Sequence, residues 1–378
     1  MKRKKSAAAY LLLALALLLT GAGLWFTAIG EDLLEYVLLA PADEKEIIQL
    51  AEKKEDALEE MSDVLRASTV SGRAKGVHVS SADSADGAQA ALHAGGEGFF
   101  EVYPKYLISG RLISETELRT GAPKALLDEE LAFKLFPTVD PIGRKISVSG
   151  VELEVVGVVR HSRRVGETEL YNVYAPLPAM SGVPFETLSL SAVPLPGSGA
   201  HIMFETIASD SWRAGGYFYR MEKEALRARL PVLYIGAIFA FAGVLWLVRK
   251  VNGLVLAFIG DIRARLQSSY AAKLLPRILS GILGLLLLYA ALGCAAWFIG
   301  LQAVEPLYIF PEWVPENLVQ WASIRKVFWN LATAASQQVN VASGDVRALQ
   351  FWGGVIRWGV LFGLSGVVLL AHGRRKED

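Results

Sequence analysis

Four apolar runs, at 7–30, 231–248, 278–300 and 351–371, limit what this chain can become. A helix needs about 20 such residues to cross a hydrocarbon core about 30 Å thick, because every backbone polar group must be satisfied inside the span. All four runs qualify, so the expected class is an α-helical membrane protein with four transmembrane helices. The first run follows a basic stretch, Lys2 to Lys5, as in a signal peptide. It is far longer than the roughly 7–15 apolar residues such a peptide uses, and no small-residue cleavage site closes it before Glu31. A retained anchor is expected. Arg357 interrupts the fourth run near one end, between Trp352 and Trp358. It either snorkels to the interface or pairs with another helix.

Charge orients the spans. The 38 basic and 38 acidic side chains cancel over the whole chain but not between the runs. Residues 1–6, 249–277 and 372–378 together hold 13 basic against 3 acidic residues, whereas 31–229 holds 21 basic against 31 acidic. The positive-inside rule then places both termini and the 249–277 loop in the cytoplasm, and 31–229 and the 301–350 loop outside. Trp25, Trp246, Trp297, Trp352 and Trp358 lie near the proposed boundaries, where an amphipathic indole prefers to sit. A multi-pass protein of the cell membrane with a large extracytoplasmic domain is expected. Neutral net charge gives no compositional case for a nucleic-acid partner. Cys294 is the single cysteine, which excludes an intrachain disulfide and a cysteine zinc site.

The 31–229 segment is long enough to bury its own core. Leu33 to Ala40 prolongs the first helix with apolar residues as far as Pro41. Ile47, Leu50, Ala51, Leu58, Met61 and Leu65 recur at helical spacing and predict an amphipathic helix over 44–66. Met221 to Leu230 predicts a helix entering the second span, so two helices would form a stalk under a globular head. Within the head, 99–107 and 129–136 read as helices. Lys145 to Val148, Leu153 to Val159, Tyr171 to Ala175 and Thr187 to Val193 read as strands, the first two split by a Ser149-Gly150 turn. A patch rich in Ser, Ala and Gly at 80–98 is expected to be a mobile loop. The mixture predicts an α+β domain inserted between helices 1 and 2.

One line of residues is more specific than these patterns. Phe99-Phe100 to Leu107, Gly110-Arg111, Ala125 to Leu127, Leu131-Ala132, Phe136, Asp140-Pro141-Ile142-Gly143-Arg144-Lys145-Ile146 and Val155-Val156-Gly157-Val158-Val159 follow in order. This resembles the periplasmic core domain of MacB-type and FtsX-like permeases of ABC transporters, the type VII or mechanotransmission class. In that resemblance Gly110, Arg111, Phe136, Asp140, Pro141, Gly143 and Gly157 are fold markers, with Asp-Pro-Ile-Gly making a tight turn and Gly110 ending a helix. It also implies a cytoplasmic segment that docks an ATPase, for which Arg249, Lys250, Gly260, Asp261, Arg263 and Arg265 are the candidates. The implied partners are a separate cytoplasmic ABC ATPase, a second permease copy or paralogue, and membrane lipid. No cofactor is expected in the chain, ATP belonging to the partner subunit.

No G-x-x-x-x-G-K-[ST] segment occurs, so the chain offers no P-loop. His78, His93, His161, His201 and His372 show no metalloprotease spacing, and no Gly-x-Ser-x-Gly elbow is present. No catalytic or metal residue is assigned. The run Arg160, His161, Arg163, Arg164 reads as a solvated strand end. Leu318, Trp321, Ile324, Phe328, Leu331 and Ala335 share one helical face in the outer loop, which suits either the membrane interface or packing on the head. The expected function is the membrane subunit of an ABC complex that passes the motion of a separate ATPase to an external domain for export or extraction. The alternatives are an FtsX-like regulator of an extracytoplasmic cell-wall enzyme and a membrane-anchored enzyme.

Overall fold

The computed structural model describes residues 2–28, 32–39, 44–82, 87–161, 170–267, 270–310, 313, 320–338 and 343–374. In chain order the elements begin α1 (Lys2–Ala28), β1 (Leu34–Leu39), α2 (Glu44–Leu58), β2 (Leu65–Ser81), β3 (Ala88–Gly95), α3 (Phe99–Val102), β4 (Leu107–Gly110), α4 (Glu115–Thr120), β5 (Lys124–Asp128) and α5 (Glu129–Leu135). They continue with β6 (Lys145–Val148), β7 (Val151–Val159), β8 (Asn172–Pro176), β9 (Thr187–Pro194), α6 (Ala200–Ile207), β10 (Tyr217–Arg220), α7 (Met221–Leu266), α8 (Ala271–Ile309), α9 (Trp321–Gln338) and α10 (Gly344–Arg374). Two compact units separate. One holds the sheet, in Trp25–Ala228 with Thr333–Gly354; the other holds the apolar helices, in Met1–Leu24, Arg229–Ala332 and Val355–Asp378.

Among the described residues, four helices are long and apolar enough to cross a membrane, over Ala7–Ala28, Met221–Leu266, Leu274–Ile309 and Gly344–His372. Between α1 and α10 small residues let the backbones approach, which is how apolar helices associate when lipid removes the hydrophobic drive. A Cβ on Gly359 would stand 2.7 Å from the Thr20 methyl, and one on Gly363 3.5 Å from the Ala16 Cβ. That last separation suits a disulfide. Ala16→Cys with Gly363→Cys, in a Cys294→Ala background, is expected to cross-link on mild oxidation, read as a reducible gel-mobility shift. Absence of the cross-link would contradict this packing. Arg357 is exposed, and among the described residues it forms no ion pair of the inter-helix kind considered from sequence.

The sheet has ten strands in the order β10-β1-β9-β2-β3-β8-β5-β7-β4, with β6 joining β2 and β7. β3 with β8 and β5 with β7 run parallel, and the other pairs are antiparallel. The main core lies on one face, under α2, α5 and α6, and is closed by Trp212, whose indole N–H donates to the Leu50 carbonyl at 2.8 Å. A second cluster of Phe99, Ile113, Leu118, Leu126, Val156 and Tyr174 covers the other face. Strands β5 and β7 are therefore buried on both sides, which accounts for their nearly continuous apolar sequence.

Several expectations change. The apolar residues expected to prolong the first helix do not do so over 34–39, which is β1, held between β10 and β9. A short apolar run is ambiguous between helix and strand by periodicity alone, and burial on both faces erases the alternation that would have marked a strand. The helix expected over 44–66 stops at Leu58, and β2 begins at Leu65. Within the patch at 80–98 expected as a mobile loop, 88–95 is strand β3, and 83–86 lie outside the described residues. Its small residues serve close packing, since a Cβ on Gly95 would fall 2.3 Å from the Phe99 ring. The helix expected over 99–107 is only α3, and Gly110, at φ 77°, ends strand β4 instead of a helix. Within the 249–277 segment 249–266 and 271–277 are helical, and 268–269 lie outside the described residues. The Ser149-Gly150 turn has φ 49° and 88°, the positive pair that a type I′ hairpin requires.

Candidate functional site

The residues singled out in the sequence fall into two groups, one on the α7–α8 hairpin and one in the sheet domain. Three contacts set the hairpin's antiparallel register. Asp261 lies 3.6 Å from Arg277, the Phe258 ring fills the space a Cβ on Gly281 would need, and the Tyr289 hydroxyl donates to the Asn252 side-chain carbonyl. A polar bridge of this kind between apolar helices is worth about 0.6–2 kcal/mol and fixes their rotation. Arg277, Asn252 and Tyr289 were not among the expected site residues. Their signal was weak: an Asn and a Tyr inside apolar stretches.

Helix geometry divides the coupling candidates between two faces. At about 100° per residue, Arg249, Gly260 and Arg263 lie within about 60° of one another, and Lys250, Asp261 and Arg265 form a neighbouring stripe. Asp261 is neutralised twice, by Arg265 Nε at 2.9 Å from both of its carboxylate oxygens and by Arg277 across the hairpin. Lys250 sits 5.5 Å over the Trp246 ring. Arg249, Gly260 and Arg263 remain exposed. The last turn of α7 thus presents basic side chains at the negative end of the helix dipole. Such a surface can bind an acidic partner.

The sheet-domain group forms turns and close contacts. Asp140 accepts from the Ile142 N–H at 3.0 Å, the Pro141 carbonyl accepts from the Arg144 N–H at 3.1 Å, and Gly143 has φ 78°, as a type II turn requires at its third position. Phe136 ends α5 in the main core. The register of β7 against β5 steps from Val155 to Gly157, a bulge that returns Val158 to the face of Val155. Gly157 and Gly110 stand where β4 crosses that bulge, and Cβ atoms there would come within 2.4 Å of Arg111 O and 2.3 Å of Val156 O. Arg111 grips both carboxylate oxygens of Glu117 at 2.6 and 2.7 Å and, with the Ser114 capping box, holds that carboxyl down at about 2.

Sequence reasoning missed a buried polar knot beside these residues. Asp128 caps α5 by accepting from the Leu131 N–H at 2.6 Å, and its other oxygen accepts from the Asn172 N–H at 2.5 Å and from His161 Nδ1 at 2.8 Å. The two side chains are 1% and 2% exposed, so His161 is not part of a solvated strand end, and burial raises the Asp128 pKa. Arg160 lies over the Tyr106 ring at 4.6 Å, and Arg163 and Arg164 lie outside the described residues. An Asp–His pair invites a catalytic reading. His161 Nε2 has no hydrogen-bond partner, however, and no serine or threonine hydroxyl reaches it among the described residues. Nor does any group of three His, Cys, Asp or Glu side chains among the described residues form a metal site. An Asp between Ala-Leu-Leu and Glu-Glu-Leu carries an N-cap signature that could have marked the knot.

Residues 26–210 match the family model of the MacB-like periplasmic core domain. The macrolide export ATP-binding/permease protein MacB of Mannheimia succiniciproducens is 33% identical over 81 residues, covering 21% of this chain and 13% of that protein. The MacB protein of Neisseria gonorrhoeae is 30% identical over 88 residues, covering 23% and 14%. The aligned region is thus a small part of those relatives. Among solved structures, the extracellular domain of the ABC-type transporter YknZ from Gram-positive bacteria aligns with TM-score 0.36 and 14% identity, over 50% of this chain and 98% of that one. The periplasmic region of MacB from Actinobacillus actinomycetemcomitans aligns with TM-score 0.38 and 16% identity, over 50% and 89%.

Proposed function

We propose that this chain, whose residues 26–210 match the MacB-like periplasmic core domain and whose described residues include four membrane-length helices, is a permease of the MacB and FtsX-like kind, the membrane subunit of an ABC complex whose ATPase is a separate cytoplasmic protein. The observation that carries this reading is the core domain lying, in chain order, between the first and second of the four helices. Nucleotide-driven closure of the ATPase pushes on the hairpin end bearing Arg249, Lys250, Gly260, Asp261, Arg263 and Arg265. Helix α7 takes up that push, because its 46 residues run unbroken from β10 to the hairpin end, about 69 Å at helical rise. The external domain then does the work on a substrate or partner outside the membrane, with two permease copies acting together. The spans hold few polar residues from which to line a solute path, which supports mechanical transmission over alternating access.

Affinity purification of the chain in mild detergent, followed by mass spectrometry, tests this reading. Recovery of one Walker-motif protein is expected. Purification without any such ATPase, under conditions that keep the chain folded, would contradict it.

A further inference from the structure

Among the described residues, helix α9 is the one long helix in the second half of the chain that is not apolar enough to span a membrane. It lies between two that are, α8 and α10. On its surface Trp321, Ile324, Phe328 and Leu331 form one stripe, with Trp329 at the flank. Trp321 and Phe328 keep 73% and 64% of their surface exposed and Trp329 keeps 61%. No Asp or Glu occurs in Trp321–Gln338, whereas Arg325 stands exposed at the edge of the stripe and Lys326 stands exposed on the side away from it.

We propose that α9 lies in the membrane–water interface, with Trp321, Ile324 and Phe328 in the acyl boundary and Arg325 and Lys326 against anionic lipid headgroups. Three observations specify lipid as the occupant. Both neighbours of α9 in the chain are membrane-length helices, which tether it to the bilayer surface. Its exposed apolar residues are mostly aromatic, the type that prefers the headgroup level. Its charge is wholly positive, complementary to anionic lipid, where each Lys or Arg adds about 1 kcal/mol.

The test uses the full chain in a Cys294→Ala background, carrying an environment-sensitive fluorophore at Phe328→Cys on the apolar stripe or at Asn330→Cys on the opposite side. The proteins are reconstituted in phosphatidylcholine vesicles containing phosphatidylglycerol, with and without lipids brominated near the headgroup. Brominated lipid is expected to cause a several-fold loss of emission at 328 and little at 330. Arg325→Gln with Lys326→Gln should weaken that quenching selectively in the anionic vesicles. Equal, water-like emission at both sites would overturn the assignment. So would a probe at 328 that is shielded from water yet unaffected by bromine, which would mean a second copy or another protein covers the stripe.

Discussion

Reversing Arg263 and Arg265 to Glu is expected to uncouple the complex. Both side chains are exposed at the end of α7, and Arg265 also neutralises Asp261. The double reversal sets three carboxylates within the last turns, where the helix dipole already disfavours negative charge, and presents them to a partner suited to a basic surface. Close charge pairs across interfaces couple by about 1.5–7 kcal/mol, so a loss of at least about 10-fold in affinity for the ATPase is expected. The measurement is ATPase recovery on purification of the chain, together with stimulation of ATP turnover. Lys145→Glu, on the exposed surface of the head, should change neither. Unchanged recovery and stimulation in the double variant would remove this surface from the contact.

Asp128→Ala should cost the head domain more than any surface change. The carboxyl satisfies the N–H groups of Leu131 and Asn172 and the His161 ring, all buried. Removing it strands three donors, each costing about 1–3 kcal/mol when left unpaired, and also removes a helix cap worth about 1 kcal/mol. A net loss of about 3–5 kcal/mol is expected, which for a domain of this size lowers the melting temperature by roughly 10 °C. Asp128→Asn keeps an acceptor and should lose less. Thermal melts of the full chain in detergent, followed through the buried Trp212, would read this; equal melting of the alanine variant and wild type would deny the knot its structural role.

Much of the fold was legible because it is written locally. Helices of membrane length need only a run of apolar residues, and the Asp140-Pro141-Ile142-Gly143 turn and the Ser149-Gly150 hairpin are fixed by φ at single positions. β1 and β3 were not legible, because what makes 34–39 and 88–95 strands is the neighbours on both sides. Residues that lie close in a sheet but far apart in sequence leave no period to read. The polar knot was hidden for the same reason: Asp128, His161 and Asn172 come from three strand ends. On the hairpin the charged residues could be counted, but their division into two faces and the tie from Asp261 to Arg277 required the helical register through 249–266. In the outer loop, periodicity marked a helix at α9, while the proposal of lipid over protein rests on its positive charge, its aromatic residues and the membrane-length helices on either side of it in the chain.

The most direct measurement is the distance between two spin labels, one at Phe133→Cys on the head and one at the native Cys294 on α8, both exposed. It should be made on the complex with its ATPase, without nucleotide and with a non-hydrolysed ATP analogue. If the chain transmits motion from the ATPase to the external domain, the distance distribution shifts between the two states, and the shift is lost with Arg263→Glu and Arg265→Glu. An identical distribution in both states, in a complex shown to bind the analogue and to turn over ATP, would contradict transmission through this chain.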